Sequence, residues 1–204
     1  MMDFGPFDDS SDALSAACSL ILSKPNASVG HIKDRELALR VSTEYCAWLY
    51  YTPDDKYRMS MLTDQSEADD LQKRRRTCKL PPLVDDPRFS PWNIKYVFAL
   101  HNHPFGSPIS QADMQEIINL AKVHEWVVET KDGRIPIAIV AFFSDSKSSQ
   151  GESTCEGFYQ YAPETRALLR FSKVNGEWSR KKLGKVTWLS SKTYRLDKDE
   201  EESQ

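Results

Sequence analysis

His101-Asn102-His103-Pro104-Phe105-Gly106-Ser107-Pro108-Ile109-Ser110-Gln111-Ala112-Asp113 follows directly on the apolar run IKYVFAL at 94–100. The run suits a buried strand, and the strand would deliver the first histidine. Two histidines at i and i+2 on an extended chain point to the same side, so their imidazoles can share one ion. Pro104, Gly106 and Pro108 stiffen and turn the chain. Ser110 then reads as the N-cap of a helix, QADMQEIINLAKVH, with Met114, Ile117, Ile118 and Ala121 on its apolar face. Asp113, near the start of that helix, can face back toward the histidines. Two imidazole nitrogens and one carboxylate oxygen make three protein ligands for a tetrahedral zinc, with a fourth position left to water, the arrangement of a catalytic site.

Outward from this stretch, residues 9–23 predict a first helix capped by Asp9 or Ser10 and ended by Pro25 and Asn26. Residues 42–51 (STEYCAWLYY), the turn TPDD and the alternating KYRMSML predict a β-hairpin. Residues 63–90 read as a long polar excursion with a short helix around 66–73. IPIAIVAFF at 135–143 reads as a second central strand, and 144–153 as a loop. The rest reads as an antiparallel meander turning at Asn175-Gly176. This gives a zinc domain over 7–143, a β extension over 144–190 and an acidic disordered tail over 191–204, in an α/β fold whose mixed central sheet is flanked by helices.

Composition bounds the partners. The chain has 204 residues, 40% of them hydrophobic and 28% charged, with a net charge of -3. That balance gives no electrostatic case for nucleic acid or an anionic membrane as the main partner. No apolar run approaches the ~20 residues of a membrane-spanning helix, and the acidic start MMDFGPFDDSSD lacks a signal-peptide core. The expectation is a cytosolic protein, with export by a machine that needs no cleavable signal left open. Cys18, Cys46, Cys78 and Cys155 form no CxxC pair, and are expected to be free thiols. The tryptophans are expected in or half in the core, and His124 is expected to end its helix, where a cation is favourable. The basic run Lys73–Arg76 reads as a solvated loop.

The pattern HxHP followed by SxxD resembles the signature of the JAMM (MPN+) zinc metalloproteases, which include deubiquitinating isopeptidases. The form HNHPxGxP is closer still to the bacterial RadC branch, with one residue fewer between His103 and Ser110. The segment EYCAWLYYTPDDKYRMSM and the start FDDSSDALSAACSLI also resemble JAMM-like domains of polymorphic toxins. The resemblance covers roughly residues 7–143 and implies a cytidine-deaminase-like (MPN) fold. It implies His101, His103 and Asp113 as zinc ligands, Ser110 as a hydroxyl supporting the tetrahedral intermediate, and an upstream Glu as general base. Glu44, 57 residues before His101, is preferred for that role over Glu36, because it opens the aromatic strand. The implied activity is hydrolysis of a peptide or isopeptide bond in a protein or peptide substrate, ubiquitin-like tails and toxin or effector proteins among them. A RadC-like zinc domain in a DNA-linked or protein-binding role without proteolysis is the alternative.

Overall fold

The computed structural model describes residues 4–64, 78–144 and 154–198. Its frame is one mixed sheet of nine strands in the order β1-β3-β2-β4-β7-β8-β9-β10-β11, with a separate two-stranded β5-β6 hairpin. The strands of the large sheet are β1 (Phe4–Phe7), β2 (Cys46–Thr52), β3 (Lys56–Met59), β4 (Lys95–Asn102), β7 (Ala138–Phe143), β8 (Gly157–Ala162), β9 (Ala167–Val174), β10 (Glu177–Ser190) and β11 (Thr193–Asp197). The hairpin strands are β5 (Val127–Thr130) and β6 (Gly133–Pro136). Three helices accompany them among the described residues: α1 (Ser10–Leu22), α2 (Arg35–Val41) and α3 (Gln111–His124).

The sheet divides the core into two layers. Ala13, Ala17 and Ile21 of α1 pack with Leu49, Val97 and Leu100 on one face. Met114, Ile117 and Ala121 of α3 pack with Trp48, Ala99 and Ile139 on the other. β2 and β4 are buried on both faces, which is why they read as continuous apolar runs rather than alternating ones. β2 runs antiparallel to β4, and β4 runs parallel to β7. The β4–β7 pair needs a long crossover, and α3 lies within it.

The hairpin expected over 42–62 forms as β2–β3, with Asp55 at φ 58° in its turn. The expected meander turn is also present, with Asn175 at φ 53° and Gly176 at φ 87° between β9 and β10. The meander does not stand apart: β8 pairs with β7 and continues the same sheet.

Several expectations are corrected. The 191–204 segment is not wholly tail, because Thr193–Asp197 pair with β10 as β11. The cysteines are not free: Cys18 is bonded to Cys155 and Cys46 to Cys78, with Cα atoms 5.6 and 5.8 Å apart. Partners 137 and 32 residues apart are joined by the tertiary fold, which a linear spacing rule cannot see. Trp92 is not in the core; it is 89% exposed on a single 3₁₀ turn. His124 does end α3, but it is stacked on Tyr96 with ring centroids 3.9 Å apart, and burial lowers its pKa, so the neutral ring is favoured there. The helix expected around 66–73, the basic run Lys73–Arg76 and the loop at 145–153 lie outside the described residues.

Candidate metal centre

Strand alternation sets the site. β4 carries Ala99 into the layer beneath α3 and Leu100 into the layer beneath α1, so His101 and His103 fall on the α3 side and Asn102 on the other. Pro104 then leaves the sheet, with its carbonyl accepting the Val29 N–H at 2.9 Å. Ser110 caps α3: its hydroxyl accepts the Asp113 N–H at 3.2 Å, while the Asp113 carboxylate accepts the Ser110 N–H at 2.7 Å. This reciprocal capping box holds Asp113 one turn into the helix with a carboxylate oxygen turned to the histidines.

The three side chains converge. The Nε2 atoms of His101 and His103 are 2.9 Å apart. Asp113 oxygens lie 3.9 Å from the first and 3.4 Å from the second. One ligand atom from each residue lies within 4.8 Å of the others, so the cluster could hold a metal ion. On the far side of its ring, His103 Nδ1 meets the Ser107 carbonyl at 2.7 Å, and the Val140 backbone favours charge on His101. Hydrogen bonds of this kind fix tautomer and ring orientation in metal-binding histidines. The two Nε2 atoms and the carboxylate meet at one point, where either a proton on His103 or a metal ion relieves their repulsion, so the donor set could hold a metal such as zinc.

Burial pushes the His101 pKa down to about 4, so this ring is neutral at ordinary pH. Burial also opposes charge on His103, but the Asp113 carboxylate outweighs it and the net shift is upward. Asp113 is partly desolvated, which works against its charge, yet the two imidazoles hold its carboxyl well below the usual carboxylate range.

The two glutamate candidates separate clearly. Glu36 lies on the exposed helix α2 and binds Arg40 at 2.6 Å. Glu44 lies two residues before Cys46, the β2 residue paired with His101. Its negative charge contributes to the upward shift on His103. Ser110 Oγ is committed as an acceptor to α3 but keeps its own proton to donate.

One residue of the site was missed in the sequence. Asn102 is fully buried between the two histidines in sequence. Its amide donates to the carbonyls of Ala27 at 2.6 Å and Thr43 at 3.0 Å, and its Oδ1 accepts the Tyr45 N–H at 2.7 Å. Thr43 and Tyr45 flank Glu44, so one side chain fixes the backbone on both sides of that glutamate relative to the histidines. A polar residue between two ligands in an otherwise apolar strand was the available signal. No protein-family model, curated protein or solved structure matches this chain.

Proposed function

We propose that this protein is a zinc-dependent metallopeptidase of the JAMM type, hydrolysing a peptide or isopeptide bond, on a cytidine-deaminase-like (MPN) fold. The observation that carries the reading is the convergence of His101 Nε2, His103 Nε2 and the Asp113 carboxylate, and the charge of Glu44 acting on His103 supports it. The β4–α3–β7 unit, with β2 antiparallel on its flank, supports the fold assignment.

His101, His103 and Asp113 would hold the metal. When bound, a zinc ion supplies a Lewis acid for the scissile carbonyl and acidifies water, toward a pKa of ~7. Glu44 takes the proton of the attacking water and returns it to the leaving amine. The Ser110 hydroxyl donates to the oxygen that becomes negative as the carbonyl carbon turns tetrahedral, a contribution on the order of 3 kcal/mol for one well-placed donor. The capping box keeps Asp113 and Ser110 in one rigid turn, so ligand and donor move together.

No helix of the described residues is long and apolar enough to cross a membrane. The two disulfides favour an oxidising compartment over the reducing cytosol. Substrates are therefore to be sought among proteins and peptides of such a compartment as well as among ubiquitin-like fusions.

The test pairs metal analysis of the purified protein with a screen of peptides and ubiquitin-like fusions, with and without a chelator. Stoichiometric zinc and chelator-sensitive cleavage are expected. Stoichiometric zinc without cleavage of any amide substrate would move the RadC-like, non-proteolytic reading ahead.

A further inference from the structure

The charge of this chain is unevenly distributed. Residues 157–197 carry nine Lys or Arg against Glu164, Glu177 and Asp197, a net of +6, in a protein whose total is -3; everything else therefore sums to -9. The cationic part is the outer sheet, β8 to β11, which the proposed mechanism does not use.

The sheet register connects this surface to the metal centre. His101 is paired with Ala141 on β7, Ala141 with Tyr159 on β8, Tyr159 with Arg170 on β9, and Arg170 with Lys181 on β10. Residues paired across neighbouring strands share a face, so all five lie in one row on the α3 side of the sheet. At about 4.8 Å per strand, Arg170 is roughly 14 Å and Lys181 roughly 19 Å from His101 along this row. Ala141 and Tyr159 are buried, Arg170 is half-buried and Lys181 is exposed. The Arg170 guanidinium lies over the rings of Phe143, at 5.2 Å, and Tyr159, at 5.8 Å. Phe143 and Tyr159 belong to the strands between Arg170 and the histidines, so this cation leans toward the metal centre.

More cations stand on the reverse of the same strands. Arg180 faces Phe171 and Lys182 faces Leu169 across β9. A bulge between Lys182 and Gly184 resets the phase, so that Lys185, opposite Ala167, joins that face as well. All three are exposed and add to the positive potential at the outer edge of the sheet.

We propose that the β8–β10 surface, through Arg170 and Lys181, docks an acidic peptide segment lying about four to six residues from the bond presented to the metal centre. The row gives the shortest count: 14–19 Å is spanned by that many residues of extended chain at about 3.3 Å each, and a peptide passing over the buried Ala141 and Tyr159 needs the upper end of that range or more. This rests on the peptidase reading for what happens at the row's other end, and only on charge and register for the docking itself. An acidic peptide is chosen over nucleic acid because the row ends at a centre read as acting on amide bonds.

The experiment measures anisotropy of a fluorescein-labelled Glu-rich decapeptide on the full chain at low salt, alongside a metal-dependent cleavage screen of a mixed peptide library. Binding is expected for the acidic peptide and not for a Lys-rich one of equal length. Arg170→Ala with Lys181→Ala should weaken it at least tenfold, Lys181→Ala alone several-fold, and Lys95→Ala, at the opposite end of β4, not at all. The exposed Lys181 supplies a variant that does not disturb the core. Binding that ignores these substitutions, or a single-stranded oligonucleotide of equal charge that binds more tightly, overturns the proposal. Metal-dependent cleavage with no acidic preference and no effect of Lys181→Ala also overturns it, while the peptidase reading stands. Acidic-peptide binding through Arg170 and Lys181 without cleavage of any peptide upholds the docking surface and removes the peptidase reading instead.

Discussion

His101 and His103 face each other through Nε2 atoms 2.9 Å apart, and the His103 ring is held from behind by the Ser107 carbonyl at 2.7 Å. His103 cannot turn its Nε2 away without giving up that hydrogen bond in a buried setting, where an unpaired polar group costs about 1–3 kcal/mol. A proton or a metal cation between the two Nε2 atoms relieves their close approach.

One zinc per chain is the expected outcome of elemental analysis, with none above background for His103→Ala or Asp113→Ala. The metal-loaded protein should melt higher than the chelated one, because a ligand that binds only the native state stabilises it. Affinity should fall in acid, since histidine must be neutral to bind. Equal metal in wild type and His103→Ala would remove the assignment.

Asn102→Ala should destabilise the protein by about 2–4 kcal/mol, because it strands the Tyr45 N–H and the carbonyls of Ala27 and Thr43 together. Asn102→Asp keeps the acceptor for Tyr45 but sets a carboxylate against two carbonyl oxygens. It should be at least as damaging at pH 7 and milder near pH 4, where the carboxyl carries a proton. Urea unfolding at both pH values checks this; unchanged midpoints would mean that the clasp between β4 and residues 43–45 carries little stability.

The metal cluster was legible because all three residues fall within thirteen positions of one strand–turn–helix, where local periodicity and capping rules suffice. β2, β3 and β4 were legible because aromatic and β-branched runs are bounded by turn signals. β11 was not, since Thr193–Asp197 is polar and closes the sheet as an edge strand, where composition says little. The Cys18–Cys155 bond joins α1 to the segment before β8, a proximity created by sheet order rather than by sequence. Asn102 escaped for the same reason: its partners are 57 to 75 residues away.

Thiol titration of the urea-denatured, unreduced protein should give no free cysteine. Reduction should lower stability by about 2–4 kcal/mol per bond lost. Four titratable thiols in protein purified without reductant would return the cysteines to the free state expected from their spacing.

Acid should weaken the tie between Asp86 and Tyr50 of β2. Asp86 is buried, and hydrogen bonds from Arg88, opposed in part by burial, hold its pKa down to about 2, with the Tyr50 hydroxyl adding to the set. A depressed carboxylate pKa contributes stability above the unfolded value near 3.8, and that contribution is lost as pH falls through the folded value. The window is therefore about pH 4 to 2, and the contribution is roughly 2 kcal/mol. Asp86→Asn should be less stable than wild type at pH 7, and the gap should narrow at pH 2. A gap independent of pH would show that the carboxylate charge is not what the tie uses.

Glu44→Gln should separate chemistry from structure. Glu44 lies two residues before the Cys46–His101 pair, its charge acts on His103, and Asn102 fixes the residues on either side of it. Gln is nearly isosteric with Glu, so zinc content and melting temperature should stay within error of wild type. It cannot accept a proton, and the loss of a general base typically costs about 10²–10⁴ in kcat. KM should change far less, because the carboxylate acts on water rather than on bound substrate. Glu36→Gln is the matched control: it removes an exposed pair with Arg40, worth at most a few tenths of a kcal/mol on a helix surface, and activity should be retained. The informative comparison uses whichever substrate the cleavage screen returns, assayed at saturating zinc. If Glu44→Gln retains full kcat, the proton must move through another group and the assignment of the base is wrong. If Glu36→Gln is the damaging change, the role passes to a residue that the fold holds on the exposed helix α2, and the placement of that helix would need revision.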